Sequence, residues 1–445
     1  MNTTPPRNVI YYNNAANPIS LAGIASLAYT DVILGFLLPD GNGNLTGQAY
    51  NSAGGNDAFD PNGNPDPNDI MALQNAGKNV LISLGGATFT TDDWQQYAKD
   101  VSGLVQKVAG YVTSNNLNGV DIDYEDDNGF TGGPDGTGVY DGIQFLIDLT
   151  NGLARELPGY IITHAPAPGY FNASDIYHNA YTQILAKTGN NISWFNCQYY
   201  NNPPYDGTAV GWPLKDGPPR VNPADKVSSY STIAETTTAP KLLIGTPVGA
   251  GAAGSGYLPL DQFTSQVIGP LRQQHPGTFG GVMGWEFSYD QDGTWADGVG
   301  LALHQQHVFY VGRDGNVYHA YWDPANGGPV THDQWTSDGQ VGTELATLLA
   351  GAQQHVFYVG RDGNVHHAYW DPANGGPVNH ELWTTDGQAV SNLATLLAGG
   401  QQHVFYVAAD GNVHHAYWDP ASGIHADQWT SDGQAGTELA TLLSS

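Results

Sequence analysis

Cysteine is almost missing from this sequence, because Cys197 is the only one among 445 residues. A single thiol excludes an intrachain disulfide and a metal site built from several thiolates. Long apolar runs are missing too: none approaches the roughly 20 residues of a membrane-spanning helix, so we expect no membrane partner. The first residues lack the basic and apolar regions of a signal peptide, which fits either a chain made without one or a chain starting at its mature end.

Positive charge is scarce as well. The sequence has 13 Lys and Arg against 42 Asp and Glu, a formal net charge of −29. Such a field repels phosphates, so we expect no nucleic-acid partner and no binding to anionic membranes. Only 12% of residues are charged, whereas 58 Gly and 27 Pro indicate a loop-rich globular protein of two or three domains.

Three copies of one unit fill the last third of the sequence. His307, His355 and His403 begin the same segment, at a period of 48 residues. Each copy holds an Asp-Gly pair between two apolar stretches, the pattern of a β-hairpin, and continues into a Leu-Ala-Thr-Leu-Leu run. We therefore predict an all-β domain of three repeats over residues 304–445.

The repeats resemble blades of lectin-type β-propellers, although three are fewer than the roughly 4–8 of a closed propeller. Either two chains pair through the repeats to make six units, or three units close alone as a trefoil-like body. Residues 304–445 hold 12 of the 15 histidines, but triplication of one unit explains their number better than a metal site. The many aromatic residues favour a carbohydrate-binding domain that holds glycans, with a purely structural role as the alternative.

The first 303 residues alternate short apolar strands with amphipathic helices, which predicts a TIM barrel. The expected strands are residues 9–12, 32–37, 80–84, 120–124, 160–165, 194–199, 242–246 and 281–285. Helical periodicity is clearest over residues 94–111, 142–157 and 260–271. Active sites of such barrels lie at the carboxyl ends of the strands, so we expect the chemistry there.

Three carboxyls alternate with apolar residues along the fourth expected strand. Asp121, Asp123 and Glu125 therefore share one face, which forms a column that rises to the mouth of the barrel. Crowding the three carboxyls raises at least one pKa, because their charged forms repel each other. A carboxyl that keeps its proton near neutral pH is what a general acid requires, so the strand predicts acid–base catalysis.

Four segments resemble glycoside hydrolase family 18, the chitinases and endo-β-N-acetylglucosaminidases. Residues 121–125 (D-I-D-Y-E) match the D-x-D-x-E core of that family, and residues 83–86 (S-L-G-G) match its S-x-G-G. Residues 198–203 (Q-Y-Y-N-N-P) are similar to the Q-x-Y-N-N of plant- and fungal-type chitinases, and Trp285 stands where the family keeps a tryptophan. The family usually has Asp where this chain has Asn118, and we expect altered tuning without loss of activity.

The resemblance implies a TIM barrel with a retaining, substrate-assisted mechanism, in which the acetamido oxygen of the substrate forms an oxazolinium. Glu125 would be the general acid and then the base, and Asp123 would bind the acetamido N–H. Asp121 would share a proton with Asp123, Tyr200 would hold the acetamido carbonyl, and Trp285 would form the floor under the sugar.

Further substrate-binding residues implied by the resemblance are Gln198, Gly86, Asn201 and Tyr11. We expect no cofactor and no metal. Residues 60–66 partly resemble a calcium loop, but proline occupies the position that needs glycine, so turn chemistry is the preferred interpretation. His164 ends the fifth strand, and we expect it to line the cleft.

The predicted function is a secreted chitinase that acts on chitin or chitooligosaccharides. Two alternatives remain open at this point. One is an endo-β-N-acetylglucosaminidase that acts on N-glycans with the same fold and site. The other is a non-catalytic chitin-binding lectin on an inactive barrel, which is disfavoured because Glu125 is present.

Overall fold

The computed structural model divides the chain into two compact units, one reaching His304 and one starting at Gln305. In the described residues, no helix is long and apolar enough to cross a membrane. Those residues are 6–13, 18–49, 58–131, 140–172, 177–202, 209–216, 228–323, 329–350, 353–371, 376–398, 400–436 and 438–442.

Eight parallel strands of the described chain close into a barrel, which confirms the TIM-type fold. The closing pair is the first strand and the second, with Val9 opposite Asp31, and a short third strand joins the second in antiparallel fashion. The strands are β1 (Arg7–Tyr12), β2 (Asp31–Pro39), β3 (Leu45–Gly47), β4 (Asn79–Gly85), β5 (Gly119–Asp123), β6 (Ile161–His164), β7 (Trp194–Gln198), β8 (Leu242–Pro247) and β9 (Gly281–Trp285).

Apolar residues of these strands alternate between two cores. Val9, Ile33 and Leu81 belong to the small core inside the barrel, whereas Ile10 and Val32 pack in the larger core against the helices. Strands buried on both faces read as nearly continuous apolar runs, which is why sequence patterns located them. An acidic residue inside such a strand therefore faces either the barrel interior or the helices.

Helices of the barrel unit follow the strands, with two departures from the expected segments. The segment 94–111 is two helices, because Thr90 forms a capping box with Asp93 and the Asp100 side chain caps a second start. The segment 260–271 contains a π-helical turn, Thr264–Ile268, just before Pro270, which has no N–H to continue the helix. The helices are α1 (Pro67–Asn75), α2 (Thr91–Ala98), α3 (Val101–Ser114), α4 (Asp127–Thr131), α5 (Gly142–Glu156), α6 (Ala180–Thr188), α7 (Gly211–Leu214), α8 (Tyr230–Thr237), α9 (Leu260–Phe263), α10 (Gly269–Gln274) and α11 (Thr294–Leu303).

The repeat unit contains three antiparallel sheets, called here the first, second and third sheet. The first is β10 (Gln306–Val311), β11 (Val317–Trp322) and β12 (Thr331–Gln334). The second is β13 (Ala346–Ala350), β14 (Gln353–Val359), β15 (Val365–Trp370) and β16 (Asn379–Leu382). The third is β17 (Ala394–Ala398), β18 (Gln401–Val407), β19 (Val413–Asp419) and β20 (Gly423–Gln428).

Each sheet extends the expected hairpin by further strands. The boundaries of the second and third sheets are shifted against those of the sequence repeat, because their first strands come from the preceding copy. In the second sheet the hairpin is β14–β15, but β13 comes from the Leu-Ala-Thr-Leu-Leu run of the preceding copy and pairs with β14. The hairpin prediction was therefore incomplete, because that run completes the next sheet rather than its own. Four-stranded antiparallel sheets are the unit of β-propellers, so the blade-like alternative describes the repeats better than the trefoil-like one.

Candidate active site

An open cavity of about 370 Å³ lies at the carboxyl ends of the barrel strands. It is lined by Asp123, Glu125, Gln198, Tyr200 and Trp285, which come from three strands and the residues just after them. The structure thus brings together side chains from three segments that are far apart in the sequence. Other residues of the wall are Phe36, Ala87, Tyr124, Asp127, Ala165, Ala167, Tyr170, Asn201, Asn202 and Ala252.

Asp121 lies below this cavity, fully buried at the bottom of the acidic column. Its Oδ2 accepts hydrogen bonds from the Tyr11 hydroxyl (2.6 Å) and the Ser83 hydroxyl (2.8 Å). Its Oδ1 accepts from the Thr163 hydroxyl (2.6 Å) and Asn196 Nδ2 (3.1 Å). Burial raises the pKa of Asp121, and the four hydrogen bonds oppose that rise because they stabilise the carboxylate.

Asp123 and Glu125 are joined by one amide group. Gln198 Nε2 donates to Asp123 Oδ1 at 2.9 Å and to Glu125 Oε1 at 3.2 Å, and the Ala165 carbonyl accepts from the same nitrogen at 2.9 Å. Asp123 is the last residue of β5 and is buried, whereas Glu125 lies two residues beyond the strand and is exposed at the cavity. The two carboxyls therefore occupy successive levels of one column, as the alternation of side chains predicts.

The environment of both carboxyls favours their protonated forms. Burial raises the pKa of Asp123 well above its ordinary value, and the charges of Glu125 and Asp121 raise it further. Burial by the cavity walls removes water from Glu125 and raises its pKa. The hydrogen bond from Gln198 lowers the pKa of Glu125, whereas the charge of Asp127 raises it further. Because Asp121 accepts hydrogen bonds from four donor groups, it is the member of the column best suited to hold a negative charge.

Two aromatic side chains form part of the cavity wall. Tyr200 is buried, and its pKa is raised well above the usual value by burial and by the three carboxyls of the column, so its hydroxyl keeps its proton. The Trp285 indole is fixed by a hydrogen bond from Nε1 to the Ala252 carbonyl (3.0 Å) and by an edge contact with Tyr11 at 5.5 Å between ring centroids. A fixed tryptophan face suits the C–H side of a pyranose.

Three expected substrate-binding residues lie differently from the rest. Tyr11 is buried and contacts Asp121 rather than the cavity, and Gly86 lies behind Phe36, with its N–H bound to the Asp123 carbonyl. Asn201 does line the cavity, but its side chain accepts a hydrogen bond from the Gly254 N–H at 2.7 Å and so holds the following loop.

Sequence reasoning missed Phe36, Asp127 and Tyr170 in the cavity wall. Asp127 could have been found, since it follows Glu125 by two residues, and Phe36 lies in the carboxyl-terminal half of an apolar strand, toward the end where barrel sites are built. Tyr170 lies in a turn after β6 that no sequence pattern indicates. Tyr170 and Tyr177 both donate to the Asp127 carboxylate, at 2.8 and 2.9 Å, and so fix it beside the cavity.

The expectation that His164 lines the cleft was wrong. Its neighbour Thr163 faces the barrel interior, so His164 points to the helices and is bonded to Thr150 (3.0 Å) and Tyr181 (3.2 Å). Asn118 precedes β5, at the end of that strand away from the cavity, and its Oδ1 accepts from the Val80 N–H at 2.9 Å.

Residues 60–66 form turns held by their own side chains. Asp60 Oδ1 accepts from the backbone N–H groups of Asn62 and Asn64, at 2.8 and 2.9 Å. Such turns are the ordinary role of Asp and Asn in loops. Within the described ranges, no group of three or more His, Cys, Asp or Glu side chains is arranged to hold a metal ion.

The geometry is that of acid–base chemistry on a sugar, and comparison with known proteins agrees. Residues 7–267 match the glycosyl hydrolases family 18, and the chain belongs to that family of glycoside hydrolases. Residues 305–347, 353–392 and 401–441 match a repeat of unknown function called DUF346, which confirms the three repeats.

Individual relatives cover the barrel unit. An acidic endochitinase of Nicotiana tabacum is 31% identical over 303 residues, 63% of this chain and 88% of that protein. An acidic endochitinase of Phaseolus angularis is 30% identical over 301 residues, which are 64% of this chain and 86% of that protein. The crystal structure of a GH18 chitinase from Pseudoalteromonas aurantia is 34% identical with a TM-score of 0.55, and the match covers 66% of this chain and 98% of that chain.

Proposed function

We propose that the barrel unit is a chitinase that hydrolyses β-1,4-linked N-acetylglucosamine polymers. The observation that carries the proposal is the pairing of Asp123 and Glu125 through one Gln198 amide, in a cavity bounded by Tyr200 and Trp285. The endochitinase names of the relatives support the choice of substrate class.

The first step of the proposed reaction transfers a proton from Glu125 to the glycosidic oxygen while the C1–O bond breaks. Glu125 suits this role because its environment raises its pKa, which favours the protonated carboxyl, and its exposure at the cavity lets it reach a substrate. The acetamido oxygen of the same sugar bonds to C1 and forms an oxazolinium ion. The Glu125 carboxylate then removes a proton from water, which attacks C1 and releases a product of retained configuration.

Asp123 assists by stabilising the positive charge that develops on the acetamido group. The Asp123 carboxyl lies directly below Glu125 in the column. The Asp121 carboxylate beneath Asp123 supplies a nearby acceptor for the Asp123 proton when that proton moves. Tyr200 donates a hydrogen bond from its hydroxyl to the acetamido carbonyl, and the face of Trp285 supports the ring of the bound sugar. Because these groups are fixed before the substrate arrives, little reorganisation is needed during the reaction.

The experiment that tests the proposal is Glu125→Gln, assayed on chitin hexamer by product release and by calorimetric binding. The amide keeps the shape but cannot donate the proton, so turnover should fall roughly 10²–10⁴-fold while binding persists. Glu286→Gln is the matched control, since Glu286 follows Trp285, lies outside the cavity wall and accepts a hydrogen bond from the Ser288 N–H that glutamine can also accept.

Two results would refute the proposal. One is a Glu125→Gln protein whose turnover stays close to that of the parent. The other is a parent protein that binds chitin hexamer without cleaving it, which is the behaviour of a lectin.

A further inference from the structure

The three sheets of the repeat unit meet through one type of interface, which occurs twice. Val356 and Tyr358 of the second sheet pack against Val317 and Trp335 of the first. The equivalent contacts one sheet later are made by Val404 and Tyr406 of the third sheet with Val365 and Trp383 of the second. Each sheet therefore presents one apolar face to the sheet before it and a different apolar face to the sheet after it.

The second sheet contacts the sheet before it through the face that carries Val356 and Tyr358. Among the described residues, the equivalent face of the first sheet packs against no other sheet; it is formed by Val308 and Tyr310 and is called here the head surface. Val308 is 61% exposed, whereas its equivalent Val356 is fully buried. Tyr310 is 42% exposed, whereas its equivalent Tyr358 is 2% exposed. The segment directly before Gln305, which ends at His304, belongs to the barrel unit, so no repeat directly precedes this surface along the chain.

The third sheet carries the complementary face, called here the tail surface and formed by Trp429 and Leu442. Trp429 is 61% exposed, whereas its equivalent Trp383 is 4% exposed beneath the third sheet. Leu442 is exposed as well. The head and tail surfaces are thus the two halves of an interface that the chain already forms twice.

A hydrogen-bond relay indicates the same missing neighbour. In each sheet two histidine rings are bonded to each other, and the second sheet's Gln354 bonds His307 of the first at 3.3 Å. Gln402 reaches His355 in the same way at 3.5 Å. In the third sheet the corresponding nitrogen, His403 Nε2, is buried and has no hydrogen-bond partner among the described residues. The equivalent glutamine of the first sheet is Gln306, which is exposed.

Strand pairing is incomplete at the same two places. In its described residues the first sheet has three strands and lacks the counterpart of β13. Residues 440–442 repeat the Ala-Thr-Leu sequence that starts β13 and β17. Thr441 Oγ1 donates to the Thr395 carbonyl at 2.8 Å, as Thr395 Oγ1 donates to the Thr347 carbonyl at 3.0 Å. Residues 440–442 therefore already lie where the first strand of a following sheet belongs.

We propose that the repeat units of two copies of this chain associate head to tail, and that each copy completes the other. Residues 440–442 of one copy add the missing strand to the first sheet of its partner, and the partner's Gln306 reaches His403 Nε2. Two such contacts close a pair with six sheets, within the roughly 4–8 blades of known propellers. The pair has a twofold axis, so neither copy keeps a free head or tail.

The first test is the mass of the full-length chain in solution, measured by sedimentation. The parent should sediment at twice the 47.3 kDa of one chain. Val308→Asp and Leu442→Asp, placed on the exposed head and tail, should each give a single chain with unchanged circular dichroism. Val390→Asp is the matched control, because Val390 is exposed and belongs to neither the head nor the tail surface, and its equivalents in the other repeats are Gly342 and Gly436. The Val390→Asp protein should sediment like the parent.

The second test locates the contact. Thr347 and Val356 are directly opposite each other in the second sheet, so Val308→Cys combined with Thr441→Cys should form a disulfide between copies on oxidation. A covalent dimer on a non-reducing gel is expected, and Val390→Cys with Thr441→Cys should give none. A parent that sediments as a single chain would overturn the proposal. So would the absence of the disulfide, or its formation within one chain, which would mean that three sheets close alone.

Discussion

Asp127 sets the electrostatic environment of Glu125 at the scale of single residues. Its charge raises the pKa of Glu125, and hydrogen bonds from Tyr170 and Tyr177 keep its carboxylate in place. A general acid works only below its own pKa, so losing that repulsion should lower the upper pH limit of activity. Asp127→Asn should therefore move the alkaline limb of the kcat/KM profile on chitin hexamer toward acid.

Asp126→Asn is the matched control for that prediction. Asp126 accepts hydrogen bonds from Thr91 (2.8 Å) and Tyr140 (2.8 Å) and is not among the groups that shift the pKa of Glu125. The alkaline limb of the kcat/KM profile of Asp126→Asn should coincide with that of the parent. An Asp127→Asn profile that overlays the parent, or one that moves toward base, would show that Asp127 does not tune the acid.

Side-chain alternation predicted most of the residue-scale arrangement. It placed Asp121, Asp123 and Glu125 on one face of β5, and the structure has them in one column. The same rule, applied to β6, would have turned His164 away from the cleft, because Thr163 faces inward. Contacts made by turns, such as that of Tyr170 with Asp127, have no periodicity in the sequence and could not be predicted.

At the scale of elements, the end of β4 approaches closely the end of β5, the strand that carries Asp121 and Asp123. Gly85 has φ +112°, and a Cβ there would lie 2.3 Å from the Asp123 carbonyl oxygen. Gly85→Ala should push the end of β5 away from β4, and because positioning errors of about 1 Å cost about 10²-fold, turnover should fall by about that factor. The assays are chitin-hexamer hydrolysis and thermal unfolding.

Gly77→Ala separates this steric effect from backbone strain. Gly77 also has a positive φ, +77°, but nothing lies within 4 Å of a Cβ there. It should lose about 1 kcal/mol of stability from the left-handed backbone and keep the parent turnover. Equal turnover in the two variants would mean that the β4–β5 contact does not position the site.

Elements were predictable where a long apolar pattern defines them and less so where local contacts decide. The eight barrel strands follow buried runs, and β9 spans the expected residues 281–285. The break between α2 and α3 depends on caps at Thr90 and Asp100, which helical periodicity does not detect. The shift of β13 into the following sheet depends on pairing between repeats, which the sequence repeat alone cannot show.

At the scale of the whole molecule, the chain joins a family 18 barrel to three repeats of a second family. Some of the aromatic residues that suggested glycan binding by the repeats are used in packing, since Phe357 and Trp383 are buried between sheets. Glycan binding by the repeats stays a prediction, and association of two chains would give a particle with two catalytic barrels.

The stereochemistry of the first product tests the central claim most directly. Proton NMR of chitin hexamer, recorded during early hydrolysis by the full-length protein, distinguishes the anomers at the newly formed reducing end. Attack by the acetamido oxygen and then by water inverts C1 twice, so the account predicts that the β-anomer appears first and converts slowly to the α-anomer. Initial release of the α-anomer would show single displacement by water and would contradict the mechanism assigned to Glu125 and Asp123.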